Sequence, residues 1–453
     1  MGKNFEKWRF RTTYVLFLVL AFLIGSSMSK KVQAKGDAYD ELRAFSEVLS
    51  LIQKSYVDEV ESKDLVQGAI VGMLKTLDPH SSYMPPEVYK EVQVETEGSF
   101  GGLGIEITIK DGQLTVVSPI EDTPAFQAGI KAGDLILKVD GEITRDITLL
   151  EAVNKMRGPI GTKVTITIMR DEFAEPKDFE INRAIIKIKS VKWKMLEDNI
   201  GYIRLSSFHK TTADEAEDAL KELVKNQMAG LVLDLRNNPG GLLDQAVKVT
   251  DLFLKEGELI VYTKGRVETQ NLRFVSHGKG SYLGFPMVVL VNAGSASASE
   301  IVSGALQDLG RSVILGSKTF GKGSVQTIIP LSDGSGLRLT TSKYYTPKGR
   351  SIQEKGILPD IVVETPQTDQ HAKLLEGEKR LPVIREKDLK RHLKGEDAPA
   401  AAPEEKEETK NPEEDKQLKE KGVVEEDLAL QRAHDLLKSL TIFKKILVTN
   451  KAN

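Results

Sequence analysis

The chain has 453 residues, enough for roughly two to four domains with substantial buried cores. Its 63 Lys and Arg stand against 66 Asp and Glu, a net charge of −3 that leaves no electrostatic footprint for a nucleic-acid partner. The absence of cysteine excludes disulfides, thiol catalysis, cysteine-based metal sites and a lipid-modified N-terminal Cys, without fixing the compartment.

At the N-terminus Lys3, Lys7, Arg9 and Arg11 precede an apolar run from Tyr14 to Ile24, and Val32-Gln33-Ala34 resembles a cleavage site. Residues 1–34 are therefore expected to be a signal peptide or an uncleaved membrane anchor, since the uncharged run from Thr12 to Ser29 is borderline for spanning a bilayer. Either form keeps the basic residues inside and exports the remainder, to the periplasm or the outer face of the cytoplasmic membrane. A buried N-terminal helix is the remaining alternative.

Residues 38–94 are expected to be helical: Leu42, Phe45, Val48, Leu49 and Ile52 recur at helical spacing, followed by Leu65, Ile70, Met73 and Leu74. Leu77-Asp78-Pro79-His80-Ser81-Ser82-Tyr83 interrupts them with turn chemistry, in which His80 reads as a cap or turn residue. Residues 95–183 read as short strands and two helices. Gly101-Gly102-Leu103-Gly104-Ile105-Glu106 leads into a strand through Ile107 and Ile109, and Leu149–Met156 is a helix followed by Arg157.

From 184 to 364 strands alternate with helices, which argues an α/β layer with crossover helices. The expected order is strand 200–205, helix 213–225, strand 231–235, helix 242–254, strands 259–263 and 287–291, helix 298–309 and strand 313–315. Residues 365–422 are expected to be a linker, disordered from about 396 where Pro, Ala, Glu and Lys dominate. A last amphipathic helix, 423–450, carries Leu428, Leu430, Leu436, Leu437, Leu440, Phe443 and Ile446. It needs an apolar partner, for which the N-terminal helices of another subunit are the candidate, giving a homo-oligomer.

Two segments carry the chemistry. Asn292-Ala-Gly-Ser295-Ala-Ser297-Ala-Ser299-Glu300 follows the apolar strand and opens a helix through Ile301, Val302, Ala305 and Leu306. A serine there sits at a helix N-terminus, where free N–H groups favour developing negative charge. Thr319-Phe-Gly-Lys322-Gly-Ser-Val-Gln326 sets a lysine between two glycines. Neither segment contains a histidine, so lysine is the available base. A free lysine has a pKa of about 10.4 and must be desolvated to act near neutrality. In a strand after it, Lys322, Ser324 and Gln326 would share one face, and the Gln326 amide oxygen could hold the lysine without adding charge. Residue chemistry alone does not choose among Ser295, Ser297 and Ser299.

These two segments resemble the carboxyl-terminal processing (tail-specific) proteases, over about residues 40–364. The resemblance implies Ser297 as nucleophile, Lys322 as general base, Gln326 as its orienting partner, and the N–H groups of Gly241 and Ala298 as oxyanion donors. Gly241 belongs to Arg236-Asn-Asn-Pro-Gly-Gly241, a turn after the apolar strand that an ordinary need for positive φ would also explain. The 184–364 core resembles the crotonase-like fold, and 95–183 resembles a PDZ domain. In that mode Leu103, Gly104 and Ile105 receive the free C-terminus of a peptide opposite the 149–156 helix. Arg157 would contact the substrate or signal occupancy, or simply complement the helix dipole. The implied whole is a multidomain α/β chain: an N-terminal helical segment, a PDZ-like domain, a protease core and a C-terminal helix. Its implied activity is that of an exported serine endopeptidase acting on protein or peptide tails, with no metal or cofactor.

Two rivals can be weighed. Gly316-Ser-Lys-Thr-Phe-Gly321-Lys322 is one residue short of a phosphate-binding P-loop, but Gly323 stands where Ser or Thr is needed and the following residues are β-like. A catalytically inactive PDZ-type envelope scaffold is the other, opposed by the intact Ser297, Lys322 and Gln326.

Overall fold

The computed structural model describes residues 36–110, 112–145, 147–278, 282–363, 384–395 and 427–452. The expected signal or anchor at 1–34 and the expected disordered stretch 396–422 lie outside the described residues. The chain divides into Met1–Thr76 and Leu77–Asn453. The first unit contributes the helices Gly36–Ser55 and Ser62–Lys75, and Tyr39, Leu42, Phe45, Val48 and Leu51 of the first are exposed. Among the described residues no helix is long and apolar enough to cross a membrane.

The second unit is organised by a six-stranded sheet in the order Val191–Met195, Ile200–Leu205, Gly230–Asp234, Met287–Val291, Val313–Gly316 and Ile361–Val362. The first pair is antiparallel and the others are parallel. The two central strands are buried on both faces, which is why they read as unbroken apolar runs. Side chains alternate across the sheet. Leu231, Leu233, Met287, Val289 and Val291 face the core built with the helices Thr212–Lys225, Leu243–Asp251 and Ala298–Asp308. Val232, Val288 and Leu290 face the other side, where Ala429, Ala433 and Leu437 of the helix Leu428–Ala452 cover them. The apolar partner of this helix is thus the chain's own sheet, which corrects the expectation that its apolar face as a whole serves another subunit; Leu440, Ile442 and Phe443 near its end are exposed.

A second sheet joins Ser82–Met84, Gly336–Tyr345, Leu259–Gly265 and Arg273–Val275, with Ser324–Pro330 paired to Gly336–Tyr345. The latter pairing shifts register between Val325 and Gln326, so Val325 opposes Ser342 but Gln326 opposes Thr340. That bulge selects the neighbour of Gln326. The P-loop alternative fails here, because the segment after Lys322 enters this strand and not a helix.

The β-rich domain wraps the sheet Ile105–Lys110, Gln113–Pro119, Leu135–Val139, Lys163–Met169, Lys177–Asn182 around Leu114, Val116, Ile136, Val164, Ile166 and Ile168. The helix Leu149–Met156 begins on a capping box between Thr148 and Glu151. A two-stranded neck, Ser99–Gly102 against Ala184–Lys187, joins this domain to the core.

Candidate active site

Ser297 is the residue immediately before the helix Ala298–Asp308, with φ 54° and ψ −112°. That backbone is rare for a residue with a Cβ and stores roughly 1–3 kcal/mol of strain. Buried Glu300 holds it in place: the Ser297 N–H donates to its carboxylate at 2.8 Å. The structure separates the three serines that chemistry alone left equivalent. Ser295 donates to the Leu235 carbonyl at 2.8 Å and Ser299 to the Asn238 carbonyl at 2.9 Å, both fully buried. Ser297 instead lines a cavity of about 400 Å³, together with Ala298, Gly241, Lys322, Gln326 and Tyr344.

The turn 236–241 reaches this cavity from the neighbouring strand. Asn238 pins it by donating to the Leu205 carbonyl at 2.9 Å and accepting from the Gly240 N–H at 2.9 Å. Gly241 has φ 142°, and a Cβ there would stand 2.3 Å from the Phe208 carbonyl oxygen, so only glycine fits. The N–H groups of Gly241 and Ala298 donate to no acceptor among the described residues, and both residues line the cavity beside Ser297. Two unpartnered donors beside a hydroxyl are what an acyl-transfer site requires.

Lys322 enters on the loop after Gly316. Glu300 fastens this loop too, accepting from Thr319 Oγ1 at 2.5 Å, Gly321 N at 2.8 Å and Lys322 N at 3.0 Å. One carboxylate therefore ties the backbone of Ser297 to that of Lys322. Burial pushes Glu300 up to about 7, opposed by these four donors. The Tyr344 hydroxyl donates to the Lys322 carbonyl and also bonds Ser297. The Lys322 ammonium forms no ion pair among the described residues. Desolvation holds its pKa below the ordinary lysine value, with Arg338 acting in the same direction and Glu386, Asp78 and Glu300 against it.

Gln326 also lines the cavity, but the expected hydrogen bond to Lys322 is not formed. Its Nε2 donates to Ser324 Oγ at 3.0 Å and Thr340 Oγ1 at 3.3 Å. Ser324 and Gln326 do share a strand face, as expected.

Sequence reasoning missed several residues here. Glu300 stood in the serine motif without a role, although its place three residues after Ser297 is capping-box spacing. Glu386, from the stretch expected to be linker, is fully buried and accepts from Gln353 Nε2 at 2.8 Å and bonds His80 Nε2 at 2.8 Å. The Gln353 side-chain oxygen Oε1 receives the Gly323 N–H at 2.9 Å, so Glu386 stands behind the lysine loop. His80, beyond its turn role, carries this link. No local pattern announces a contact between residues 306 apart.

In the β-rich domain Leu103, Gly104, Ile105, Ile107, Val153, Met156 and Arg157 line a groove of about 70 Å³. The N–H groups of Leu103 and Gly104 donate to no acceptor among the described residues, and Gly104 has φ 78°. Arg157 is the C-cap residue of the helix Leu149–Met156. Its guanidinium stacks 4.4 Å from the Phe100 ring centroid and grips both Glu91 oxygens at 2.6 and 2.5 Å. Glu91 lies on the helix Pro86–Glu97, whose Val92, Glu95 and Thr96 line the Ser297 cavity.

Comparison with known proteins gives a consistent picture. Residues 199–363 match peptidase family S41, residues 101–201 a PDZ domain, and residues 21–88 the N-terminal domain of the activating protease CtpB. The chain is 46% identical over 391 residues to a carboxy-terminal-processing protease of Bartonella bacilliformis, covering 84% of this chain and 88% of that one. It is 36% identical over 370 residues to a probable CtpA-like serine protease of Staphylococcus aureus strain COL, covering 80% of this chain and 74% of that one. Among solved structures, the photosystem II D1 C-terminal processing protease matches at 30% identity, with a TM-score of 0.42 over 75% of this chain and 98% of that one.

Proposed function

Because the chain belongs to peptidase family S41, as a carboxy-terminal-processing serine peptidase with a PDZ domain, we propose that it cuts peptide bonds with a Ser297–Lys322 dyad. The observation that carries this reading is the meeting, in one cavity, of Ser297, a desolvated lysine and the N–H groups of Gly241 and Ala298, with no ion pair to the lysine and no acceptor for the two N–H groups among the described residues.

Neutral Lys322 takes the proton of Ser297 as its oxygen attacks the scissile carbonyl. The N–H groups of Gly241 and Ala298 receive the oxyanion. Lys322 then protonates the leaving amine, and water hydrolyses the acyl-enzyme with the lysine again as base. Gln326, which lines the same cavity, is the residue proposed to orient the amine without adding charge. Ser297→Ala and Lys322→Ala should each abolish nearly all turnover of a peptide substrate, and the double variant should be no worse, because the two act as a unit. Lys322→Arg should be inactive, since arginine stays protonated. Substantial turnover by the arginine variant would refute the general-base assignment.

The PDZ groove is the site proposed for the substrate's C-terminal tail. The free N–H groups of Leu103 and Gly104 fit a carboxylate, and the apolar lining fits small or apolar final residues. Arg157, joined to Glu91, is proposed to report occupancy to the helix that lines the catalytic cavity. The basic residues ahead of the Tyr14–Ile24 run support export to the periplasm or the outer face of the cytoplasmic membrane, with the N-terminus as signal or anchor. The exposed apolar side chains of the Gly36–Ser55 helix, with Leu440, Ile442 and Phe443 near the C-terminus, support a homo-oligomer. Cell fractionation and analytical ultracentrifugation test these two readings.

A further inference from the structure

The turn 78–81 is wired to the catalytic strand. Asp78 Oδ1 accepts from the N–H groups of His80 at 2.8 Å and Ser81 at 2.9 Å, and from Thr340 Oγ1 at 3.1 Å. Its Oδ2 accepts from Ser81 Oγ at 2.7 Å, and Ser81 Oγ in turn accepts from Thr340 N at 3.1 Å. Thr340 Oγ1 is also the atom that meets Gln326 Nε2, placed opposite it by the bulge between Val325 and Gln326.

These bonds have a direction that chemistry fixes. An ionised carboxylate only accepts. Burial pushes Asp78 up, but the hydrogen bonds from Ser81, His80 and Thr340 outweigh it and hold the carboxyl below its ordinary range. The single Thr340 hydroxyl proton is therefore committed to Asp78, and Thr340 Oγ1 can serve Gln326 only as an acceptor. Gln326 must turn its NH2 group to Thr340, and the second amide proton goes to Ser324 Oγ. Both donors are then occupied, and the amide presents only its carbonyl oxygen to the cavity.

We propose that Asp78 and Thr340 are positioning residues that lock the polarity of the Gln326 amide, making it acceptor-only toward Lys322. The distinction matters for a lysine base. An acceptor takes one N–H of the amine and leaves its lone pair for the Ser297 proton. A flipped amide would donate to that lone pair and occupy it. The inference rests on the reading of Gln326 as the lysine's partner and deepens it.

The test is the pH profile of kcat for a fluorogenic peptide. Charged groups acting on Lys322 (Glu386, with His80 bonded to it, Arg338, Asp78 and Glu300) remain in place in the Thr340 variants. Thr340→Val should lower the plateau about tenfold and move the rising limb down by about one pH unit, because the acceptor that favours the ammonium is lost. Thr340→Ser should restore both. Asp78→Asn, whose amide can donate and so reverse the chain, should resemble Thr340→Val. In a Gln326→Ala background neither Thr340 change should move the limb further, whereas Asp78→Asn should still lower it through the direct pull of Asp78 on Lys322. An unmoved limb in Thr340→Val, beside a moved one in Gln326→Ala, refutes the relay. An unmoved limb and rate in Gln326→Ala itself refutes the underlying role of Gln326 instead. Equal losses in Thr340→Ser and Thr340→Val would show a packing role and overturn the proposal, whatever Asp78→Asn does to folding.

Discussion

Replacing Glu300 by Gln removes one atom's charge from the centre of the site and leaves its shape. Glu300 Oε2 receives the N–H groups of Ser297 and Lys322, so one carboxylate oxygen joins the backbones of the proposed nucleophile and base. The variant must set an NH2 against at least one pair of the four donors. Above about pH 7, where Glu300 is ionised, a hydrogen bond to the charged group contributes about 1.5–3 kcal/mol, so the two lost anchors amount to roughly 3–6 kcal/mol. The strained Ser297 backbone would be free to relax in the same step. At 1.36 kcal/mol per tenfold in rate, kcat should fall by about 100- to 10,000-fold if most of that free energy holds the reactive geometry. The assay is kcat on a peptide substrate, paired with near-UV circular dichroism to show that the variant is folded. Stability gives an independent reading. The Glu300 pKa is raised from 4.5 to about 7. Between those values the folded chain keeps a proton that the unfolded chain releases, so this group's contribution is present below pH 4.5 and is lost as pH rises through about 7. The loss is about 3 kcal/mol over that window, and about 2–3 kcal/mol of it falls between pH 5 and pH 8. Urea melts should therefore show the destabilisation caused by Glu300→Gln shrinking by that amount from pH 5 to pH 8. A folded variant with kcat within about threefold of the wild type would refute the role of Glu300 as the common anchor.

Other outcomes follow from the same geometry. A peptide with a free C-terminal carboxylate should be cut much faster than its amidated form, because the N–H groups of Leu103 and Gly104 offer charge-assisted bonds that an amide cannot match; equal rates would take the groove out of recognition. Gln326→Glu should shift the rising limb of the pH profile upward by stabilising the Lys322 ammonium, and an unmoved limb would mean that the two side chains do not meet. Glu386→Gln should shift the same limb downward, because Glu386 opposes the depression of the lysine pKa, as its removal from behind the loop can be read directly in the pH dependence of kcat.

The parts of this molecule that the sequence makes legible are those with local causes. The strands around Leu231 and Met287 read as apolar runs because both of their faces are covered. The 149–156 helix carries its own capping box, and the turn at Gly240-Gly241 needs a backbone that glycine supplies. What stayed hidden is non-local. No local pattern marks Gly336–Tyr345 as the strand that receives Ser324–Pro330 and Ser82–Met84, and its bulge cannot be inferred from either strand alone. Glu386 lay in a stretch whose composition suggested a linker, yet its burial depends on His80 and Gln353, far away in the chain. The C-terminal helix advertised an apolar face without saying what covered it, and a sheet face of the same chain lay beyond the reach of periodicity. Resemblance singles out Ser297; the reason its neighbours differ, the inward hydrogen bonds of Ser295 and Ser299, exists only once the 235–238 turn is folded against them.

A lysine base poses an electrostatic problem, because the carboxylates that make good anchors also favour the ammonium. Three of them, Glu300, Glu386 and Asp78, act on Lys322 in that unfavourable direction. Each is satisfied by other groups. Glu300 takes three N–H groups and a hydroxyl, Asp78 takes two N–H groups and two hydroxyls, and Glu386 takes Gln353 and His80. Hydrogen-bond donors around a carboxylate diminish its pull on a further cation while still fixing the backbone they belong to. Desolvation and Arg338 then act on an ammonium that pairs with no carboxylate among the described residues. The site can thus be rigid and acidic in composition while its lysine remains disposed to give up a proton.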